Sequence, residues 1–330
     1  MKNRSWKTVV AFLCIWVHQR AALLCAPRRE QCPRHDGCRG DLRQGMTIDI
    51  HVHPAFYEPI NADAAREELR HCELDIHRNG LAPLEHVFNQ MRCASLDRLC
   101  LLAQDYSTQM GETLVSNKEV AQLVSLAPDR FWGFASVDPL DSEAPDKLED
   151  AFSRMGLKGL NLHPGRSRFD PADPVLEPLW AVCERHDRPV LFHAGLSWEK
   201  DTLAEYGHPL RFEALAQKHP RLRICLGHFG WPWIRETAML LLKYPNVYAD
   251  TAALYFDNAR EFYTQCFTRD IPLTWIDRSL RHQVMFGSDN PRFEQIRMAE
   301  ALGTLGLRES TLELIRGENA LVFLGEGDGA

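Results

Sequence analysis

The chain has 330 residues, of which 45% are hydrophobic, 25% charged and 9% aromatic, a globular balance that excludes a disordered, collagen-like or low-complexity protein. Its net charge is −7, yet residues 1–45 carry nine Lys/Arg against three Asp/Glu and leave the remainder at −13, which argues against a nucleic-acid partner. The length admits two ordinary domains or one large α/β barrel.

Residues 1–45 read as an extension set apart from a domain over 46–330. Lys2, Arg4 and Lys7 precede an apolar run from Val9 to Val17, the outline of a secretion signal. His18, Gln19 and Arg20 break that run, and it is too short to span a membrane. The Arg-rich stretch from Pro27 to Gly45 reads as a disordered tail, or as an upstream extension of a chain that starts at Met46, in preference to a secretory leader. Six cysteines in the body lie without close paired spacing, so reduced thiols and a cytoplasmic location are expected.

From Met46 onward, short apolar or β-branched runs alternate with longer amphipathic stretches. The expected strands are Thr47 to His51, Arg98 to Ala103, Phe131 to Val137, Leu157 to His163, Pro189 to His193, Arg221 to His228, Asn246 to Asp250 and Gln283 to Ser288. Helical patterns fall between them, and two more follow the last strand. Such alternation implies parallel pairing through crossover helices, and eight strands fit a distorted (β/α)8 TIM barrel. The segment from Phe56 to Leu96 is long for one connection and reads as a helical insertion after the first strand, over the barrel mouth. Arg66, Arg70, Arg78 and Arg92 within it are candidates for a residue that reaches the site.

Barrel active sites form where the strands exit. Here the first strand leaves as DIHVHP with His51 and His53, the fourth as GLNLHP with His163, the fifth as PVLFHAG with His193, the sixth as ICLGHFG with His228 and the eighth as MFGSDNP with Asp289. Residues i and i+2 of a strand share a face, so His51 and His53 can bind one ion together. Adding His193 and Asp289 gives three imidazoles and a carboxylate, a set that suits one divalent metal, Zn²⁺ first and Mn²⁺, Fe²⁺ or Co²⁺ nearly as well. His228 is placed to act on a metal-bound water or a substrate carbonyl. Each residue alone has a plainer explanation: His193 or His228 as a hydrogen-bonded core histidine, Asp289 as a helix cap, Asp250 as a strand cap. Taken in order, the metal site is the better reading. His163 is balanced between substrate contact and structural role. Arg166 and Arg168 follow it and can grip a carboxylate or be solvated loop charges, and Trp198 and Trp231, with Phe229, Trp233 and Tyr255, can wall a planar substrate or pack loop on loop.

DIHVHP, GLKGLNLHPG, RPVLFHAG, LGHFGWPW, FGSDNP and RGENALVFLG together resemble the amidohydrolase-related branch of the metal-dependent amidohydrolase superfamily, over essentially residues 46–330. That branch holds hydrolases and lactonases beside aminocarboxymuconate semialdehyde decarboxylase and resorcylate decarboxylase type enzymes. The resemblance implies one catalytic divalent metal held by His51, His53, His193 and Asp289, with His228 as the sixth-strand catalytic histidine and Asp289 also as acid/base. Binuclear members end the fourth strand with a carboxylated lysine. His163 stands there instead, and a second metal is not expected. The resemblance also suggests a homodimer.

On this reading the protein is a metal-dependent hydrolase of a small carboxylated or aromatic molecule, acting through an activated water. The alternative with the same ligands is a non-oxidative decarboxylase, and a binding protein without catalysis is a distant third.

Overall fold

Eight parallel strands form in the places the pattern indicates: β1 Ile48–Val52, β2 Arg98–Leu102, β3 Phe131–Ala135, β4 Gly159–Leu162, β5 Val190–Phe192, β6 Ile224–Leu226, β7 Val247–Asp250 and β8 Val284–Met285. They pair in sequence order. The computed structural model describes residues 45–76, 80–199, 202–253 and 258–326. The expected extension lies outside the described residues except for Gly45, and so do Arg78 and Tyr255.

The sheet closes on itself. The Ile50 amide donates to the Phe286 carbonyl at 3.0 Å, the Asp289 amide to His51 at 3.0 Å and the His53 amide to Asn290 at 2.8 Å. Asp49 reinforces this seam from β1, accepting from the Ser288 hydroxyl at 2.6 Å, the Ser288 amide at 2.9 Å and the Gln295 side chain at 2.9 Å. Burial pushes the Asp49 carboxyl up to about 6 against those hydrogen bonds.

Between Asp49 and Val52, β1 carries one residue more than β2, since Asp49 pairs with Leu99 and Val52 with Leu101. That extra residue changes which side chains face inward. Ile48 and Ile50 pack in the barrel interior with Cys100 and Leu102, whereas Val52 packs with Leu99 and Leu101 in the outer layer under the helices. Above the irregularity, His51 and His53 face the interior cavity.

The lower interior is apolar and sealed. Ile48, Ile50, Cys100, Leu102, Phe134, Leu191, Cys225 and Met285 meet Ala320, Phe323 and Leu324 of the C-terminal helix. The Phe323 ring lies 5.2 Å from that of Tyr248. Gly325 in the left-handed region, φ 73°, ends this helix, a conformation open to glycine at little cost.

The connection after β1 does hold helices, α1 Ala64–Leu74 and α2 Leu84–Cys93. Asp63 caps α1 through the Ala65 amide. Arg70, fully buried, staples the insertion down by donating to the Leu114 carbonyl at 2.9 Å, the Ile60 carbonyl at 2.9 Å, Asn61 Oδ1 at 2.7 Å and Glu119 Oε1 at 2.7 Å. Arg66 also turns to Glu119, and Arg92 donates to Asn89. Arg70 and Arg66 thus tie the insertion to the segment that follows β2, and Arg92 is engaged within its own helix. The sequence did not indicate the antiparallel ribbon of Gln104–Asp105 with Thr113–Val115, which is too short to carry a periodic signal. Among the described residues no helix is long and apolar enough to cross a membrane.

Candidate active site

The strand exits converge on a small cavity of about 40 Å³ lined by residues that include His51, His53, His163, His193, His228 and Asp289. Three of them form one tight group: donor atoms of His51, His53 and Asp289 all lie within 4.8 Å of one another. His51 Nε2 faces His53 Nε2 at 3.2 Å, and Asp289 Oδ1 is 3.3 Å from His53 Nε2 and 3.9 Å from His51 Nε2.

Asp250 at the β7 exit orients this group. Its Oδ2 takes a hydrogen bond from His51 Nδ1 at 2.8 Å, which leaves His51 Nε2 pointing at the cluster, and its Oδ1 accepts from the His228 amide at 2.8 Å. An outer carboxylate that fixes a ligating imidazole is a recurrent feature of metal sites. Room for the ring comes from two glycines. A Cβ on Gly287 would lie 3.0 Å from the Cβ of His51, and one on Gly227 would lie 3.3 Å from the His51 ring and 2.9 Å from the Phe192 carbonyl.

Hydrogen bonding also fixes the other imidazoles. The Leu196 carbonyl can only accept, so His193 Nε2, 3.1 Å away, carries the proton. His193 Nδ1 then accepts from His228 Nε2 at 3.2 Å. His163 stacks on His193 with ring centroids 3.9 Å apart and an interplanar angle of 8°. Its Nδ1 accepts the Arg166 amide at 3.1 Å, and its Nε2 faces the Ser197 hydroxyl at 3.2 Å with Glu199 beyond. The histidines thus form a continuous row from β1 to β4 through β6 and β5. His228, Phe229 and Asp289 hold left-handed backbone at φ 57°, 49° and 62°, which costs on the order of 1–3 kcal/mol each for residues with a Cβ. Two of the three, His228 and Asp289, line the cavity, where the conformation aims their side chains at it.

Burial lowers His53 despite the hydrogen bond with Asp289, and brings His228 down to about 4 with help from His51. Burial, then His163 and His228, hold His193 well below the ordinary imidazole value. These rings are neutral at pH 7 and have lone pairs to offer. Burial would lower His51 too, but Asp250, Asp289 and Asp49 outweigh it and raise its value. A field that favours a proton on His51 Nε2 favours a metal cation in the same place. Burial would raise Asp289, yet the His53 hydrogen bond and the imidazoles of His228, His53 and His51 keep its carboxyl below the usual range. The donor set therefore fits one divalent ion. His193 stands beside the tight group, its Nδ1 lone pair engaged by His228.

Of the expected substrate contacts, His163 and Trp198 line the cavity, and Arg166 and Trp231 are absent from its wall. Arg166 pairs with Glu73 on α1 and lies over the Tyr106 ring, 4.5 Å from its centroid. Trp231 packs against the main core. Among the polar lining residues Glu199, Tyr106, Asn161 and Arg292 escaped the sequence reading, and Asp250, which supports His51, was read only as a strand cap. Asp250 and Arg292 had a usable signal, since one ends a strand and the other sits three places after Asp289.

Residues 48–325 match the Amidohydrolase family. The chain belongs to that family. Along 225 residues the chain is 28% identical to gamma-resorcylate decarboxylase from Rhodococcus jostii (strain RHA1), covering 56% of the chain and 67% of the relative. Across the curated relatives it matches, the chain spans between 36% and 67% of their length. An uncharacterised TIM-barrel protein from Bordetella bronchiseptica superposes with a TM-score of 0.68 at 22% identity, over 85% of this chain and 99% of the other. A dihydroxybenzoic acid decarboxylase from Polaromonas sp. JS666, solved with bound manganese and 2-nitroresorcinol, gives 0.59 at 16% identity over 85% and 97%. The chain is an enzyme of a metal-dependent class that includes hydrolases and carboxy-lyases.

Proposed function

We propose that residues 46–330 form a non-oxidative decarboxylase of a small aromatic acid, working in the cytoplasm with one divalent metal held by His51, His53 and Asp289, to which His193 would add its Nδ1 in place of the hydrogen bond from His228. The observation that carries this reading is the likeness, along 225 residues, to a decarboxylase of a hydroxylated aromatic acid. Decarboxylation takes precedence over the hydrolysis favoured on sequence alone because the strand-exit motifs serve both reactions and the named relatives are decarboxylases. The small site, about 40 Å³ and lined by buried histidines, adds physical support, since loss of CO₂ from a carboxylate is favoured where its hydration is reduced.

A divalent ion at these donors supplies positive charge that stabilises an oxyanion of the substrate. The chain's own groups then do the proton work. The bond between the ring carbon and the carboxylate breaks, CO₂ leaves, and the electron pair stays on the ring carbon, which takes a proton. Asp289, ionised at rest, would first take up a proton from solvent or from a hydroxyl of the bound substrate and then pass it from Oδ2 to the ring carbon, its Oδ1 being turned toward His53. His228, a hydrogen-bond donor at Nε2, steadies the negative charge.

Both Zn²⁺, expected from the ligand types, and Mn²⁺, found in a structural neighbour, suit imidazole and carboxylate. The test combines elemental analysis with an assay of the full chain on 2,6-dihydroxybenzoate, other phenolic acids, lactones and esters. We expect close to one ion per chain and CO₂ release that stops on chelation. Hydrolysis of a lactone or ester without CO₂ from any acid would overturn the proposal.

A further inference from the structure

Arg292 lies where two cavities meet. It borders the 40 Å³ space at the histidine row and also a second, open chamber of about 940 Å³, and His53 and Pro291 are shared with it. The inner space is too small for an aromatic ring, so only the reacting edge of a substrate enters it. Its body needs the outer chamber, where Phe56, Tyr57 and Phe293 supply apolar wall.

The charge on Arg292 is the one to account for. Arg166 has Glu73, and Arg297, also in the chamber wall, has Glu294 at 2.8 Å. Arg292 donates from Nη2 to the Leu74 carbonyl at 2.9 Å, and its sole carboxylate neighbour among the described residues is Asp289, 3.7 Å from Nε. That carboxylate is committed to the metal in the reading above. Nη1 has no protein partner among the described residues, and the side chain is 27% exposed, at the junction. A guanidinium there is preorganised for an anion.

The anion it holds is not the carboxylate that leaves. A cation pressed on that group stabilises the charged ground state, whereas the charge moves onto the ring as CO₂ departs, so the barrier would rise. We propose that Arg292 determines specificity by binding a second anionic group of the substrate, one retained in the product, while the body of the molecule lies in the outer chamber. This rests on the decarboxylase reading for the reaction, and on geometry alone for the anion site.

The experiment measures calorimetric binding of benzoate and of isophthalate to the metal-loaded full chain, and to R292Q and R292K. The unmodified protein should favour isophthalate by roughly 10- to 100-fold, the scale of a hydrogen bond to a charged group. R292Q should erase that preference and R292K should keep part of it. The KM ratio of 2,6-dihydroxybenzoate to a dihydroxyisophthalate should shift in the same sense. Equal affinity for the two acids in the unmodified protein, or an equal loss for both in R292Q, would overturn the assignment. An isophthalate preference that R292Q erases, in a protein that releases CO₂ from neither 2,6-dihydroxybenzoate nor the dihydroxyisophthalate nor any other phenolic acid tested, would uphold Arg292 and sink the decarboxylase reading alone.

Discussion

The same eight strands build both ends of the barrel, and the two ends hold opposite contents. At the lower end Ile48, Ile50, Leu102, Leu191 and Met285 close over Phe323 with no charge inside that cluster. At the upper end, a residue or two further along the same strands, lie His51, His193, Asp250 and their neighbours, all buried or nearly so. Apolar burial at the base is worth about 25 cal/mol per Å², while the top carries desolvated rings and left-handed backbone that oppose folding. Stability and chemistry are therefore separable along the strand axis, and substitutions at the two ends should fail in different assays.

The largest effect belongs to the top. Asp289→Asn should cut turnover by roughly 10³-fold or more, since an amide can neither deliver the proton nor ligate as well, with the melting temperature little changed. His228→Ala should lower kcat by roughly 10²- to 10⁴-fold while metal content stays near that of the unmodified protein. If it emptied the site, His228 would be a ligand and the shell assignment would change. At the base, Phe323→Ala should cost about 3–5 kcal/mol of unfolding free energy and leave kcat alone well below the melting temperature. A loss of activity in that folded variant would mean that the two ends are coupled. The smallest of the four effects sharpens the contrast within the top itself. Asp250→Asn removes no ligand, yet metal affinity measured by competition with a chelator should fall roughly 10- to 100-fold.

The strand order was legible because each strand is a short apolar or β-branched run between helical patterns, and the site because histidines stood at successive exits. The ends were less so. Arg221 to His228 shortens to Ile224–Leu226, because the chain turns into left-handed backbone at His228 to aim its ring. The supporting carboxylates left little trace. Asp250 serves His51 from 199 residues away, a partnership that closure of the barrel creates, and a lone Asp at a strand end reads equally well as a cap. Arg166 illustrates the reverse case. Its position after His163 suggested a substrate contact, and Glu73, 93 residues earlier, takes its charge.

The extra residue in β1 makes the first strand two half-strands out of phase. A ruler laid along it finds apolar teeth pointing inward at Ile48 and Ile50, then imidazole teeth pointing inward at His51 and His53, an odd step that no regular strand can produce. The extra residue thus lets the apolar wall and the metal-binding pair follow one another on the inward face without a gap. Deleting Ile50 would restore the regular alternation and keep His51 and His53 inward above Ile48, so what the irregularity adds is one more apolar side chain of the base, seated directly beneath the imidazoles.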